Sequence, residues 1–145
     1  MNLIAEVNRC WSWTGLQAVS VEAMNSFGNL LICDAQGQYR RICPEELTCE
    51  IVASSAQALS ELWSHEDFVL DWEMTDLVQL AQAHLGELSE GWVYTLIIPG
   101  MFGGAYEATN MHKVPLSELI EHSGAFALKA QEIPEGGQIL FDVGH

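Results

Sequence analysis

The chain has 145 residues, of which 49% are hydrophobic and 17% charged. That balance suits one folded domain over residues 1–145 with its own core, and it excludes an intrinsically disordered chain. Five Lys and Arg face twenty Asp and Glu, a formal charge of −15. Such an excess disfavours binding to DNA, RNA or an anionic membrane surface, because their phosphates need cations.

In chain order, residues 3–11 place Leu3, Ile4, Val7 and Cys10 or Trp11 at helical spacing. Trp13, Thr14 and Gly15 break that helix. Residues 16–24 alternate in part and read as a strand; Asn25 to Asn29 form a turn. Residues 30–33 are a short buried strand. Asp34-Ala35-Gln36-Gly37 turns the chain, and residues 38–43 return as the partner strand. Arg40 and Arg41 stand there in succession, so one of them faces inward or lies along the sheet edge; a salt bridge is the expected outcome. Residues 44–47 make a turn or one helical turn, and 48–52 another strand.

Ser54 or Ser55 can cap a helix over 56–63. Ser64-His65-Glu66-Asp67 resembles a second helix start, with carboxylates at the positive end. Residues 74–85 give the clearest amphipathic helix, with Met74, Leu77, Val78, Ala81 and Leu85 on one stripe and Gly86 as its C-cap. Residues 91–110, GWVYTLIIPGMFGGAYEATN, are the stretch around which the chain is organised. They open as a strand whose faces are both apolar. Pro99 ends the ladder, and Gly100, Gly103 and Gly104 provide a hinged loop carrying Met101 and Phe102. Residues 111–114 follow as a strand. Pro115 starts a helix that Gly124 interrupts. A turn at Pro134 to Gly137 and a strand over 138–143 close the chain. Strands first, helices in the middle and mixed elements last predict an α+β domain, a mostly antiparallel sheet packed against several helices.

Residues 1–30 lack the marks of a secretory leader, and no apolar run is long enough to cross a bilayer, so a soluble, cytoplasmic protein is expected. Cys10, Cys33, Cys43 and Cys49 have no close pair spacing and read as reduced, packed thiols. The five histidines form no metal signature. A nucleophile elbow and a phosphate loop are both absent. The expectation is a protein without catalytic residues, metal or cofactor.

The strand, Pro99, Gly103-Gly104, Tyr106, Asn110 and the following helix with Leu116 and Leu119 resemble the C-terminal domain of bacterial type VI secretion immunity proteins. The resemblance extends upstream through Asn25-Ser26-Phe27-Gly28-Asn29 and Tyr39 to Leu47, and downstream through Ile133-Pro134-Glu135-Gly136. It implies a role in guarding a cell against a secreted DNase toxin.

Charge supports that reading independently. No Lys or Arg occurs over residues 42–112, which hold twelve carboxylates. An acidic face attracts a cationic, DNA-binding toxin cleft and can stand in for phosphates. The alternative is that acidity only keeps the protein in solution. Candidate partner-binding residues are Glu61, Glu66, Asp67, Asp71, Glu73 and Asp76 as an acidic face, with Met101, Phe102 and Tyr106 as apolar anchors. The partner expected is a basic protein toxin, a nuclease domain. Two further readings stand beside it. One is a small-molecule or peptide-binding module whose pocket, lined by Tyr106 and Asn110, lies under the Gly-Gly loop. The other is an oligomerising domain, a homodimer burying Met101 and Phe102.

Overall fold

The computed structural model describes residues 2–132. Its elements follow from short-range signals. Asn2 caps α1 (Leu3–Trp11), its side-chain oxygen accepting from the Ala5 amide at 3.1 Å. Val7 and Trp11 bury its apolar side. A four-stranded antiparallel meander follows, β1 (Ala18–Met24), β2 (Leu30–Asp34), β3 (Tyr39–Cys43) and β4 (Thr48–Ala53), with spatial order equal to chain order. Asp34 fixes the β2–β3 turn: its carboxylate accepts from the Gln36 and Gln38 amides, both at 2.9 Å, and from Arg40 Nε at 3.1 Å. The salt bridge expected of this arginine pair is thereby present.

Three helices come next, α2 (Ala56–Trp63), α3 (Glu66–Glu73) and α4 (Thr75–Leu85). Ser55 caps α2, accepting from Ala58 N at 3.1 Å. Met74 joins α3 to α4 in the left-handed region, φ 51°, which a side chain adopts only at some cost. An antiparallel hairpin, β5 (Trp92–Leu96) with β6 (Met111–Pro115), and a final helix α5 (Leu116–Gln131) complete the described chain. The result is a single α+β domain.

Alternation along β2 divides the core. Leu30 and Ile32 pack with Val7, Trp11, Leu116, Leu119 and Ile120, so α1 and α5 cover one face of the sheet. Leu31, one residue out of phase, packs with Leu59 and Trp72 of α2 and α3 on the other. A third cluster, Phe27, Ala81, Tyr94, Leu96 and Met111, seats the β5–β6 hairpin on α4.

Two expectations are corrected. Gly124 does not interrupt the last helix: α5 runs unbroken through it. A Cβ there would meet the Cys10 carbonyl oxygen at 2.5 Å, so the glycine lets α1 and α5 approach closely. The central strand is also shorter than its apolar run. The strand ends at Leu96, with one further backbone bond from Ile97 N to Asn110 O at 2.8 Å, and Trp92 and Ile97 are 42% and 43% exposed. The turn at 134–137 and the strand at 138–143 lie outside the described residues.

Candidate functional site

The β3–β4 register sets Arg41 opposite Glu50 and Cys43 opposite Thr48, which puts these four side chains and Val52 on the sheet face shared with α3. They line a groove of ≈ 780 Å³. One wall comes from Phe68, Leu70 and Asp71 of α3, the Met74 junction, and Thr75, Asp76 and Leu77 of α4. Another comes from Glu45 and Glu46, on the 3-10 turn Pro44–Glu46, together with Tyr106.

Carboxylates dominate this groove. Glu46, Glu50, Asp71 and Asp76 line it beside the buried Glu45, against one cation, Arg41. Arg41 is already engaged on three sides. Its Nη1 lies 2.5 Å from Asp71 Oδ2, its Nε donates to Asn29 Oδ1 at 2.9 Å, and its guanidinium sits 5.0 Å from the Trp72 ring centroid. Tyr106 donates its hydroxyl to Glu46 Oε1 at 2.6 Å. Burial, then that bond and the neighbouring carboxylates, push the Tyr106 pKa up, so the phenol stays a donor. At the groove's base Asn29 Nδ2 donates to both oxygens of Glu45, and the Cys43 thiol lies 3.1 Å from Glu45 Oε1. Burial pushes the Glu45 carboxyl up despite these bonds, and with Glu45 it pushes the Cys43 thiol up.

The candidates from sequence separate. Asp71, Asp76 and Tyr106 come together in the groove. Glu61 on α2 and Glu66 and Asp67 at the start of α3 are exposed but do not line it. Glu73 borders a different depression of ≈ 360 Å³, with Met24, Trp72 and Trp92. Met101 projects outward, 56% exposed. Phe102 turns inward, its ring centroid 5.5 Å from that of Phe126 at the margin of the main core. Asn110, expected to line a pocket, bridges the loop instead. Its Oδ1 accepts from Ile98 N at 3.0 Å, and its Nδ2 donates to Ile98 O and Ala105 O at 3.0 and 2.9 Å. Beside Pro99 at the base of that loop is a hollow of ≈ 190 Å³ that includes His112, His122 and Phe126. Burial lowers the His112 pKa.

Glu45, Glu46 and Glu50 were not among the sequence candidates. The available signal was register: a hairpin turning at Asp34–Gly37 and a second strand after Pro44 place Glu50 beside Arg41. The contact between Glu46 and Tyr106, sixty residues apart in sequence, had no local signal.

Among the described residues, no group of three His, Cys, Asp or Glu is placed to hold a metal ion, the four cysteines are free, and no helix is long and apolar enough to cross a membrane. Residues 53–126, just over half the chain, match the family described as T6SS immunity protein Tdi1, C-terminal. The chain belongs to this family of type VI secretion immunity domains. The matched span holds Asp71, Asp76 and Tyr106 of the groove; its residues Arg41, Glu45, Glu46 and Glu50 precede that span. No curated protein matches the chain.

Proposed function

We propose that the domain is a non-catalytic immunity module that neutralises a basic toxin domain, a nuclease, by holding it against the acidic groove. The observation that carries this reading is the groove's uncompensated charge: with Arg41 paired to Asp71, the carboxylates of Glu46, Glu50 and Asp76 line the groove with no cation beside them among its lining residues. A cationic cleft that evolved to hold phosphates is attracted to such a surface, and encounter rates rise accordingly. Leu70, 56% exposed on the α3 wall, and the Tyr106 ring supply apolar contact that slows release.

The test is binding to a secreted protein's basic C-terminal domain, sought first in the neighbouring reading frame. Affinity should fall steeply as salt rises, and Glu46→Lys with Asp76→Lys should slow association. Salt-independent affinity, or no effect of both reversals, would sink the reading. A small cationic ligand is the second reading, favoured by a groove volume within the range of about 300–1,000 Å³ usual for ligand sites. A metabolite that raises the melting temperature would identify it.

A further inference from the structure

The four-stranded sheet has two edges, and they are finished differently. β1 is pinned and irregular. Asn8 Nδ2 donates to the Ala18 carbonyl at 3.1 Å and Asn8 Oδ1 accepts from the Ala18 amide at 2.8 Å, while the β1–β2 register shifts at two places. Bulges and covering contacts are common devices that stop an edge from pairing with another chain. β4 has one register shift, between its pairings of Ile51 and Ala53, and its sequence TCEIVA contains no Lys or Pro. Among the described residues, nothing but β3 hydrogen-bonds its backbone. Glu50 and Ile51 in its middle are both exposed, Ile51 by 51%.

We infer that the open edge of β4 receives an extended basic segment of the toxin as a fifth strand, and that this is how the partner enters the groove. The inference rests on the immunity reading above and adds the mode of contact. Backbone pairing places a new strand about 4.7–4.9 Å from β4, with side chains alternating between the two faces. On the groove face its residues lie beside Thr48, Glu50 and Val52, where Glu46 and Asp76 also stand, so Lys or Arg is favoured there. On the opposite face they lie beside Cys49 and Ile51, so apolar residues are favoured. The occupant therefore alternates basic with apolar. A second copy of this chain fits poorly, because paired β4 strands would add carboxylate to carboxylate across a molecule already at −15.

The test uses the intact protein and a capped synthetic peptide of alternating lysine and valine, about eight residues long to match a common strand length. Amide hydrogen exchange is followed with and without it. At saturation, the 48–53 amides that point away from β3 should slow by at least about tenfold, while those of 18–24 stay unchanged. The same peptide with alternate backbone nitrogens methylated should bind at least about tenfold more weakly, and a glutamate-for-lysine peptide should not bind. Three results would overturn strand addition: these amides already protected in the free protein, equal binding of the methylated peptide, or no binding of the lysine peptide. Equal binding of the methylated peptide that Glu50→Lys abolishes would remove strand addition and leave the acidic groove as a binding site. Toxin affinity unmoved by Glu46→Lys with Asp76→Lys would instead remove the groove reading itself.

Discussion

Asn29 holds both carboxylate oxygens of Glu45 with one amide nitrogen, at 3.0 and 2.9 Å, and both residues are sealed from solvent. The same Asn29 accepts from Arg41, which reaches Asp71 on α3. One polar chain thus ties the start of β2, β3, the 3-10 turn and α3 together beneath the groove. Replacing Asn29 with Leu leaves a buried carboxylate without its main donor, and a loss of about 2–4 kcal/mol is expected by chemical denaturation. Adding Glu45→Gln should restore part of that loss, since the two residues act as a unit.

Glu45 also sets a pH dependence. Burial raises its folded pKa above the ordinary value of 4.5. A proton is then held more tightly in the folded state than in the unfolded one. The stability tied to this proton is fully present below pH 4.5 and is lost as pH rises from there through the raised folded value. Glu45→Gln removes that slope. Denaturation at a series of pH values should show the variant gaining on the parent protein as pH rises; a constant difference would contradict the assignment.

Arg41 and Asp71 are unequal partners. The arginine side chain is 14% exposed and the aspartate 71%. Asp71→Asn should therefore cost at most about 1 kcal/mol, as exposed ion pairs do. Arg41→Met removes the bond to Asn29 and the contact with Trp72 as well, and about 2–3 kcal/mol is expected. Arg41→Lys should recover little, because an ammonium lacks the planar fork that serves three contacts.

Much of the fold was legible because its signals are local. Ser55 caps α2 where its side chain can, Gly86 follows the amphipathic run of α4, and strong turn residues separate the first strands. The middle of α5 shows where local rules fail. Gly124 reads as a helix breaker by propensity, yet its role is set by the Cys10 carbonyl across the α1–α5 contact, which no window of sequence contains. The site was legible only in part for the same reason. Charge density marked the acidic region, but abundance gave no means of choosing among twelve carboxylates. Strand register and the long-range contact between Glu46 and Tyr106 choose among them, leaving Glu61, Glu66 and Asp67 outside the groove and bringing Glu46 and Glu50 into it.

Gly124→Ala sets two effects against each other. Alanine gains about 1 kcal/mol of helix propensity over glycine in a helix interior. The added methyl, however, meets a backbone carbonyl at 2.5 Å, which cannot move without parting α1 from α5. Overpacking of this kind costs about 1–3 kcal/mol, so net destabilisation and a lower melting temperature are expected. A rise in melting temperature would show that the two helices can separate cheaply.

The final prediction divides the acidic residues by position. Glu66 and Asp67 are exposed at the start of α3, while Glu50 and Asp76 line the groove. If the groove is the contact surface, reversing either pair to Lys changes net charge equally, by four units on formal counting, and so alters long-range attraction to a similar degree. Direct contact is lost only for the groove pair. Glu66→Lys with Asp67→Lys should thus slow association and leave dissociation almost unchanged. Glu50→Lys with Asp76→Lys should slow association and also speed dissociation, by tenfold or more for about 1.4 kcal/mol of lost contact. Stopped-flow kinetics against the toxin domain separate the two rates. Equal dissociation rates for both double variants would move the contact surface away from the groove, even with the salt dependence intact.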